Sequence, residues 1–341
     1  YERFTYNTYS GYIQQLYKPV EMIAITAGIR HDISTTYGNT TNPRLSFIFK
    51  PNSDLTLKFL LGTGFREPSA KELFTQTVQR KPNPALRPEI MRSHEIGIGY
   101  RFLKKYYFSA QGYYNRVSNL ILEIATNDTS VINGITPKNP WQQYQNLGNA
   151  SIYGFEFETN MQLTEQIHLF LNYTYAKGEY SRLPPSLQAS PSTTGRVGDN
   201  PADDIYSELF RQITITPQRP NGLNTIPPSG QIPNISPHKI NAGFTFAPTS
   251  DLSIYTGINY VDVRRTVSTD PVRTVNGYKM VKLNIRKENF ITEGAYIQLH
   301  INNLFNEQFF DPGIRSATGT YYPTMHPLEK RNIWLTIGYN F

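Results

Sequence analysis

Hydrophobic and polar residues alternate with a period of two along most of the chain. In the clearest segment, 167–175, isoleucine, leucine and tyrosine fill the odd positions, while histidine, phenylalanine, asparagine and threonine fill the even ones. Successive side chains of a β-strand point to opposite faces, so this pattern predicts strands with one apolar and one mostly polar face. About thirteen such segments can be recognised. They lie near residues 4–17, 20–31, 42–50, 54–65, 90–102, 105–122, 142–162, 166–177, 237–247, 251–263, 277–287, 294–303 and 331–341.

The connections between these segments alternate in length. Tight turns are expected where turn-forming residues cluster, at 18–19, 50–54, 103–104, 164–165, 248–251 and 289–293. Long connections are expected at 32–41, 66–89, 123–141, 178–236, 264–276 and 304–330. Short turns at one end and long loops at the other are typical of transmembrane barrels, whose long loops are extracellular. The sequence therefore predicts an all-β protein built as a transmembrane antiparallel β-barrel.

Two of the long connections carry further local signals. Ser69 and Glu72 have the spacing of a capping box ahead of Leu73, which predicts one short helix. Residues 178–236 are rich in Pro, Gly, Ser, Thr and Asn, which favours a long extracellular loop that is extended or mobile. A disordered linker between two domains is the alternative for that segment. We treat residues 1–341 as part of one barrel domain.

Composition narrows the class of protein without changing this fold. The chain of 341 residues is 38% hydrophobic, and its mean hydropathy is -0.46. No stretch approaches the roughly 18 uncharged apolar residues that a membrane helix needs, whereas 24 Tyr and 19 Phe suit the aromatic girdles of a barrel. The net charge of +7 comes from scattered lysines and arginines, so we do not expect nucleic acid as a partner.

Catalytic and metal-dependent chemistry finds no support in the sequence. The chain has no cysteine, which excludes thiolate metal sites and cysteine nucleophiles. Its six histidines show no pair at helical spacing for a metal, and no cofactor is predicted. A soluble all-β enzyme such as a glycosidase would need paired carboxylates across a cleft, and no such pair stands out. We therefore expect a protein that is not an enzyme.

Several charged and small residues fall within the predicted strands. Six charged residues are mostly in or near register with the polar face: Glu95, Arg101, Glu156, Glu158, Lys282 and Arg286. A barrel tolerates charge there only if its interior is wet or filled by polar protein, so these side chains either contact an inserted domain or are solvated. Glycines at 97, 99, 154, 243 and 257 let neighbouring strands or an inserted domain approach closely, or relieve strain where the sheet bends.

The last segment has an apolar face made of Ile333, Leu335, Ile337, Tyr339 and Phe341. A terminal aromatic on an alternating strand resembles the signal that the barrel assembly machinery recognises in outer-membrane proteins. Tyr339 and Phe341 are the residues that would carry this signal. We expect the Phe341 side chain to face lipid near the periplasmic interface.

A series of short motifs in fixed order resembles the β-barrel of TonB-dependent receptors. The motifs lie at 42–47, 62–69, 83–89 and 95–97, and the pattern continues at 146–150, 153–156 and 301–306. The resemblance covers nearly the whole chain. The residues that we assign to the family motifs are Phe65, Arg66, Pro68, Asn83, Pro84, Leu86, Pro88, Glu89, Asn302, Asn303, Leu304 and Phe305.

This resemblance implies a barrel of about 22 strands around an N-terminal plug. It also implies energy supplied by the inner-membrane TonB complex, which pulls on a short N-terminal box. Neither plug nor box is found in these residues, and the chain starts at Tyr1 without an initiator Met or a signal peptide. We therefore expect a fragment truncated at its N-terminus. It would hold about 13 C-terminal strands, starting near the tenth, and form an open, curved sheet when alone.

The resemblance further implies a receptor in the outer membrane of a Gram-negative bacterium that actively imports a scarce nutrient. Its partners would be the TonB complex, its own plug domain, the barrel assembly machinery, lipid and lipopolysaccharide, and a small-molecule ligand. A ferric siderophore is the commonest ligand of the family, and a basic chain mildly favours an anionic chelate. Cobalamin, carbohydrate and peptide stay open. A passive porin is the alternative from another mechanistic class.

Three loop residues are candidate ligand contacts: Arg80, Tyr321 and His326. Some haem receptors of the family carry a histidine between the motifs that match 65–68 and 83–86, and this chain has none there. Haem is thereby disfavoured as the ligand, although His326 in the last loop keeps it open.

Overall fold

The structure is a computed structural model that describes residues 5–137, 139–182, 230–266, 272–313 and 323–340. This part of the chain contains nineteen strands and one short helix. In chain order they are β1 (Thr8–Val20), β2 (Ile23–Ser34), β3 (Gly38–Phe49), β4 (Leu55–Arg66), α1 (Ala70–Phe74), β5 (Glu89–Phe102), β6 (Tyr106–Ser118), β7 (Ile121–Ala125), β8 (Gln142–Asn146), β9 (Asn149–Gln162), β10 (Ile167–Ser181), β11 (His238–Thr249), β12 (Leu252–Val261), β13 (Arg264–Arg265), β14 (Thr274–Val275), β15 (Tyr278–Glu288), β16 (Ala295–Asn302), β17 (Phe310–Pro312), β18 (Met325–Pro327) and β19 (Asn332–Tyr339).

Thirteen of these strands form one antiparallel sheet. Their order is β1-β2-β3-β4-β5-β6-β9-β10-β11-β12-β15-β16-β19. The strands correspond one to one to the thirteen predicted segments, which confirms the all-β fold. β1 and β19 form the two edges of the sheet, and their described residues do not pair with each other. The sheet is therefore open, as predicted.

On β5 the apolar face of the sheet is more exposed than the polar face. On β5, Ile96 and Ile98 are 66% and 45% exposed, whereas the alternating Glu95 and Gly97 are partly buried. On β19 the exposed fraction of Ile337 reaches 71%. A water-soluble protein usually buries such side chains. This distribution is the one expected of strands whose outer face contacts lipid.

Aromatic rings lie over glycines on the opposite, polar face. A Cβ atom added to Gly154 would come within 2.5 Å of the Tyr113 hydroxyl, and one added to Gly243 would come within 2.7 Å of the Tyr255 ring. These glycines leave space that a neighbouring ring fills, which confirms the close approach predicted there. At Gly97 the nearest atom would be 3.6 Å away, so crowding does not explain that glycine.

Most tight turns occur where they were predicted. They lie at 50–54, 103–105, 163–166, 250–251 and 289–294. The first turn is displaced: it lies at 21–22 and not at 18–19, because β1 continues through Pro19 to Val20, which pairs with Ile23. Pro19 lies where the β1–β2 register shifts between Tyr17 and Val20, and such an irregularity tolerates a missing backbone N–H.

The predicted long connection at 32–41 was wrong. β2 and β3 are joined by a three-residue turn at 35–37, so the strict alternation of connection lengths fails here. Polar residues made this region look like a loop, but Asp32 is fully buried in the sheet. Its carboxylate accepts hydrogen bonds from Arg30 at 2.7 Å and from Ser10 at 2.5 Å. Hydrogen bonds therefore replace water at a polar position within the strand.

Three of the long connections contain paired strands that the sequence pattern did not predict. The pairs are β7 with β8, β13 with β14, and β17 with β18. Near the ends of β6 and β9, Asn119 and Gly148 have φ angles of 59° and 69°, which turn the backbone out of the main sheet. The unbroken segments predicted at 105–122 and 142–162 were therefore wrong. Strands of two to five residues are too short to show the alternation of hydrophobic and polar residues in the sequence.

The helix predicted from Ser69 and Glu72 is present as α1. The Ser69 hydroxyl accepts a hydrogen bond from the backbone N–H of Glu72, and the Glu72 carboxylate accepts one from the backbone N–H of Ser69. This reciprocal capping box satisfies the free donors at the start of the helix. No helix in the described ranges is long and apolar enough to cross a membrane.

The predicted loop 178–236 starts later than expected. β10 continues to Ser181, and its last residues pair with β9 in an unbroken register. Residues 183–229 lie outside the described part of the chain. The extended or mobile character proposed for them stays a prediction.

Candidate functional site

Five long connections leave the same end of the sheet, called here the long-loop rim, because consecutive strands run in opposite directions. They are residues 67–88, 119–148, 182–237, 262–277 and 303–331. The described parts of four of these connections form two folded clusters. The first lobe consists of 67–88 with 119–148, and the second lobe consists of 262–277 with 303–331, without the undescribed positions 138, 267–271 and 314–322.

The first lobe has a hydrophobic core of its own. Leu73 of α1 and Leu86 cluster with Ile121 of β7 and Tyr144 of β8, and all four are more than nine-tenths buried. Trp141 is fully buried, and its indole N–H donates to a backbone carbonyl of the same connection at 2.9 Å. Each buried side chain of this size contributes about 1.5–3 kcal/mol. The two connections therefore form a folded unit.

Two ion pairs join the two connections of the first lobe. Arg80 Nη2 lies 2.5 Å from Glu123 Oε1, and the Arg80 guanidinium lies 5.0 Å from the centroid of the Tyr144 ring. The Glu123 side chain is only 3% exposed, so water screens this pair little. Lys81 Nζ lies 2.8 Å from Asp128 Oδ2, and this hydrogen bond holds the pKa of the Asp128 carboxyl well below its usual range.

A further set of charges fixes the first lobe to the end of β4. Arg66 donates hydrogen bonds to Glu89 at 2.7 Å and to Glu72 at 3.0 Å. The other Glu89 oxygen accepts a hydrogen bond from the backbone N–H of Ile121 at 2.8 Å. Burial acts to raise the pKa of Glu72, but hydrogen bonds from Arg66 and Ser69 outweigh it and hold that pKa below its ordinary value.

Most of the motif residues assigned to 65–89 have structural contacts at this lobe. Asn83 donates to a backbone carbonyl of β8 at 2.7 Å, and Leu86 belongs to the core. Pro68 and Pro88 are buried, whereas Pro84 is exposed. The structure therefore brings these motif residues together with Arg66 and Glu89, as parts of one scaffold beneath the rim.

The remaining motif residues lie at the ends of β4 and β16. The Phe65 ring lies 6.0 Å, between centroids, from the ring of Tyr37 in the β2–β3 turn. Asn303 is buried, and its side chain donates to a backbone carbonyl four residues further on at 2.7 Å. The backbone N–H of Leu304 donates to β15 at 2.9 Å. Asn302 Oδ1 lies 3.1 Å from a ring nitrogen of His300. Asn303 has a φ of 51°, and the Phe305 side chain is 66% exposed.

Arg264 is at the centre of the second lobe. Its side chain is 7% exposed, forms an ion pair with Asp311, and donates to the Phe310 carbonyl at 2.7 Å. The guanidinium lies 5.5 Å from the centroid of the Tyr278 ring, and Phe309 stacks on that ring at 4.9 Å. A buried arginine with these contacts ties residues 262–277 to residues 303–331.

The three candidate ligand contacts have different positions. Arg80 lies in the first lobe and is already neutralised by Glu123. His326 lies on β18 in the second lobe, opposite Asp311, and is partly buried. Tyr321 lies outside the described residues. Arg80 and His326 belong to separate lobes, and ligand contact stays a prediction for all three residues.

Sequence reasoning missed three buried residues that organise the lobes: Glu123, Trp141 and Arg264. Trp141 is one of two tryptophans in the chain and lies in a mostly polar connection, which is itself a signal of a local core. Glu123 and Arg264 carry no comparable signal. A charged loop residue has the same appearance in sequence whether it is solvated or buried in an ion pair.

The polar face of the sheet carries three carboxylates close together. The register places Glu156 and Glu158 of β9 opposite Gln111 and Ser109 of β6, and Gln111 donates to Glu95 of β5 at 3.1 Å. None of the three carboxylates forms an ion pair within the described ranges. In the same part of the chain, no group of three or more residues is arranged to hold a metal ion. We call Glu95, Glu156 and Glu158 the acidic patch.

The family model described as TonB dependent receptor-like, beta-barrel, matches residues 1–304. This match includes nearly all of the sheet and the whole of the first lobe. The chain belongs to this family. It is an outer-membrane protein of a Gram-negative bacterium and belongs to a family of receptors, not of enzymes, as the sequence predicts. Long loops of such barrels are extracellular, so we expect the long-loop rim to be the outer one.

Curated relatives match about half of the chain. The "Iron-regulated outer membrane virulence protein" of Vibrio cholerae is 25% identical over 178 residues, which make up 50% of this chain and 27% of the relative. The "Heme/hemopexin utilization protein C" of Haemophilus influenzae is 27% identical over 184 residues, or 46% of this chain and 26% of the relative. The match thus spans about a quarter of the length of these relatives.

Solved structures of receptors share the fold. The ferric-catecholate import receptor from K12 E. coli has a TM-score of 0.68 at 15% identity, and the match covers 98% of this chain and 45% of that one. The siderophore receptor from Acinetobacter baumannii has a TM-score of 0.67 at 17% identity, with coverages of 98% and 43%. At these identities the likeness shows the fold alone.

Proposed function

We propose that the complete protein is a TonB-energised receptor that imports an iron-bearing small molecule, and that this molecule is a ferric siderophore. The observation that carries the proposal is a receptor-family barrel whose extracellular loops fold into two separate lobes. Binding residues are held most accurately when their loops are rigid before the ligand arrives, because less conformational entropy is then lost on binding.

The first lobe supports a receptor more than a channel. Its connections are fixed by a buried core and by the ion pair between Arg80 and Glu123. A passive porin needs an open path and has no need for folded lobes over its mouth. The family match likewise does not support the passive porin that the sequence left as the alternative.

The acidic patch supports a plug domain inside the complete barrel. Carboxylates on an inner wall are costly unless water or cations compensate them. A plug with basic residues at this height would supply the cations, whereas a porin would supply water. In the full-length protein, we expect Glu156→Gln to loosen the plug and to raise antibiotic leakage through the barrel. An unchanged leak would speak against this contact.

The names of similar proteins support a ligand that contains iron. One curated relative is called iron-regulated, and two solved structures with the same fold are titled receptors for a ferric catecholate and for a siderophore. Ferric siderophores are commonly anionic, and the chain carries a net charge of +7, which favours their approach to the extracellular rim.

Haem is the second candidate for the imported ligand. A relative at 27% identity is named for haem and haemopexin utilisation, and His326 lies in the second lobe, where an imidazole could ligate haem iron. Against it, the region between the family motifs at 62–69 and 83–89 has no histidine.

Growth and uptake in a strain without other iron receptors separate these ligands. The full-length protein should support growth on a ferric siderophore when iron is scarce, and His326→Ala should leave that growth unchanged. Growth on haem alone, abolished by His326→Ala, would replace the siderophore with haem. Growth on neither iron source would reject the proposed class of ligand.

A further inference from the structure

Two arginines lie directly opposite each other on the outer face of the sheet. Arg92 of β5 pairs with Arg116 of β6, and both residues are exposed. The β5–β6 register is unbroken from Arg92 to Ile98, so Arg92 shares the face of the exposed Ile96 and Ile98. The arginine pair therefore projects toward the membrane side of the wall and away from the barrel interior.

The height of this pair matches the outer edge of the bilayer. Arg92 lies ten residues before Phe102, which marks the opposite end of the same hairpin. At about 3.3 Å per residue and a tilt of about 40°, ten residues rise about 25 Å along the membrane normal. The apolar band of outer-membrane barrels is about 25 Å tall. The next residue pair on this face, toward the centre of the bilayer, is His94 with Tyr114, whose ring centroids lie 6.4 Å apart. Aromatic residues are typical of this interfacial position.

The arginine pair lacks a compensating carboxylate. Like charges that face each other across an antiparallel pair repel and destabilise the sheet. Neither Arg92 nor Arg116 forms an ion pair with any residue that the structure describes. The flanking strands place Thr63 and Ser151 beside them, and the next carboxylate in that row, Glu179, is bound to a lysine of its own strand at 2.6 Å.

We propose that Arg92 and Arg116 bind the phosphate groups of lipopolysaccharide in the outer leaflet. Guanidinium groups bind phosphate oxygens through paired, charge-assisted hydrogen bonds, and an anion between the two arginines removes their repulsion. Below them, the exposed Ile96 and Ile98 offer acyl chains an apolar surface. A free phosphate ion would satisfy the charges but would leave this apolar surface unused, so the occupant is the lipid.

Lipopolysaccharide that co-purifies with the full-length protein provides the test. The receptor is extracted in mild detergent, and bound lipid is counted by native mass spectrometry. The double variant R92Q/R116Q should retain no more than about one tenth of the lipopolysaccharide that the wild type retains. The variant K105Q loses a cation from the turn at the other end of the same hairpin and should retain the wild-type amount. Equal retention by the double variant and the wild type would overturn the proposal.

Thermal unfolding separates lipid binding from folding defects and from free phosphate. In detergent without lipopolysaccharide, R92Q/R116Q should be at least as heat-stable as the wild type, because the like-charge contact is gone. Added lipopolysaccharide should stabilise the wild type alone, and lipopolysaccharide without its phosphates should not. If inorganic phosphate stabilises the wild type as strongly as the lipid does, the site is an ordinary anion site and the proposal fails.

Discussion

Arg80 donates a hydrogen bond to Glu123 at 2.6 Å across a separation of 43 residues, and this contact joins the two connections of the first lobe. The Glu123 side chain is almost fully buried. A carboxylate in such a position is stable only with its cation, so the pair couples the position of residues 67–88 to that of residues 119–148. The surface that these two connections form should open and close as one unit.

Removing the carboxylate should therefore destabilise this lobe without unfolding the barrel. We expect Glu123→Gln to cost about 3 kcal/mol of local stability, because Arg80 is left without its counter-charge. Hydrogen exchange of the full-length protein measures this as lost protection in 67–88 and 119–148. The control Glu179→Gln breaks an exposed pair on β10 and should cost less than about 1 kcal/mol. Equal effects of the two variants would contradict the coupling.

A second prediction concerns the glycines beneath aromatic rings. Gly243→Ala should destabilise the barrel by about 1–3 kcal/mol, because the new methyl group overlaps the rings of Phe170 and Tyr255. Gly62→Ala is the matched control, since a Cβ there meets no atom within 4 Å. Chemical unfolding of the two purified variants compares them. If both variants unfold at the same denaturant concentration, the packing of the two rings over Gly243 does not contribute to stability, and the prediction is wrong.

The acid stability of the first lobe should depend on Asp128. Hydrogen bonding to Lys81 lowers the pKa of Asp128 in the folded lobe below its value of about 3.9 in an unfolded chain. The pair therefore stabilises the lobe above about pH 4, and this contribution is lost as the pH falls through the folded pKa. Fluorescence of the buried Trp141, in a Trp334→Phe background, should report opening at acid pH.

The variant Asp128→Asn isolates this titration. It should remove the part of the acid transition that the Lys81 contact causes, and leave the lobe less stable at neutral pH. An acid transition with the same midpoint and amplitude in Asp128→Asn would assign the effect to other carboxylates of the lobe, such as Glu72.

The main sheet was predictable because lipid and a polar interior impose opposite demands on alternate residues. Segment 167–175 shows this period without interruption and became β10. Asp32 was misread because a buried polar residue of a barrel interior has the same appearance in sequence as a loop residue. β17 and β18 were missed because three residues each show no period, and tertiary contacts such as the Arg264 ion pair hold them.

The candidate site could be predicted only in outline. The family motifs identified Arg66 and Glu89, which lie 2.7 Å apart in the structure, but no sequence spacing could show that contact across 23 residues. Glu123 and Arg264 drew no attention because their roles depend on burial by distant segments. Composition and periodicity therefore predict the sheet and its long-loop rim, whereas the arrangement of charges on the rim depends on contacts between segments that are distant in sequence.

Phe341 should matter for assembly more than for stability. It lies outside the described residues, but Tyr339 in the same alternation is 53% exposed. An aromatic at the interface contributes about 1–3 kcal/mol, so stability alone predicts a mild defect when Phe341 is deleted. Deletion should instead sharply reduce the amount of full-length protein in the outer membrane. Phe341→Tyr is the control that keeps the terminal aromatic.

Uptake per assembled molecule completes that test. Receptors that reach the membrane without Phe341 should transport normally, since their loops are unchanged. Normal amounts in the membrane would reject the assembly role, and assembled but inactive receptor would assign Phe341 to transport.

The dependence of iron uptake on TonB tests the proposed function most directly. Cells that carry the full-length protein are given a radiolabelled ferric siderophore, with and without a functional TonB complex, and surface-bound and internal label are counted separately. We predict unchanged surface binding and loss of internal label when TonB is absent. Internal label that accumulates equally without TonB would mean passive diffusion through the barrel and would contradict the assignment as an energised receptor.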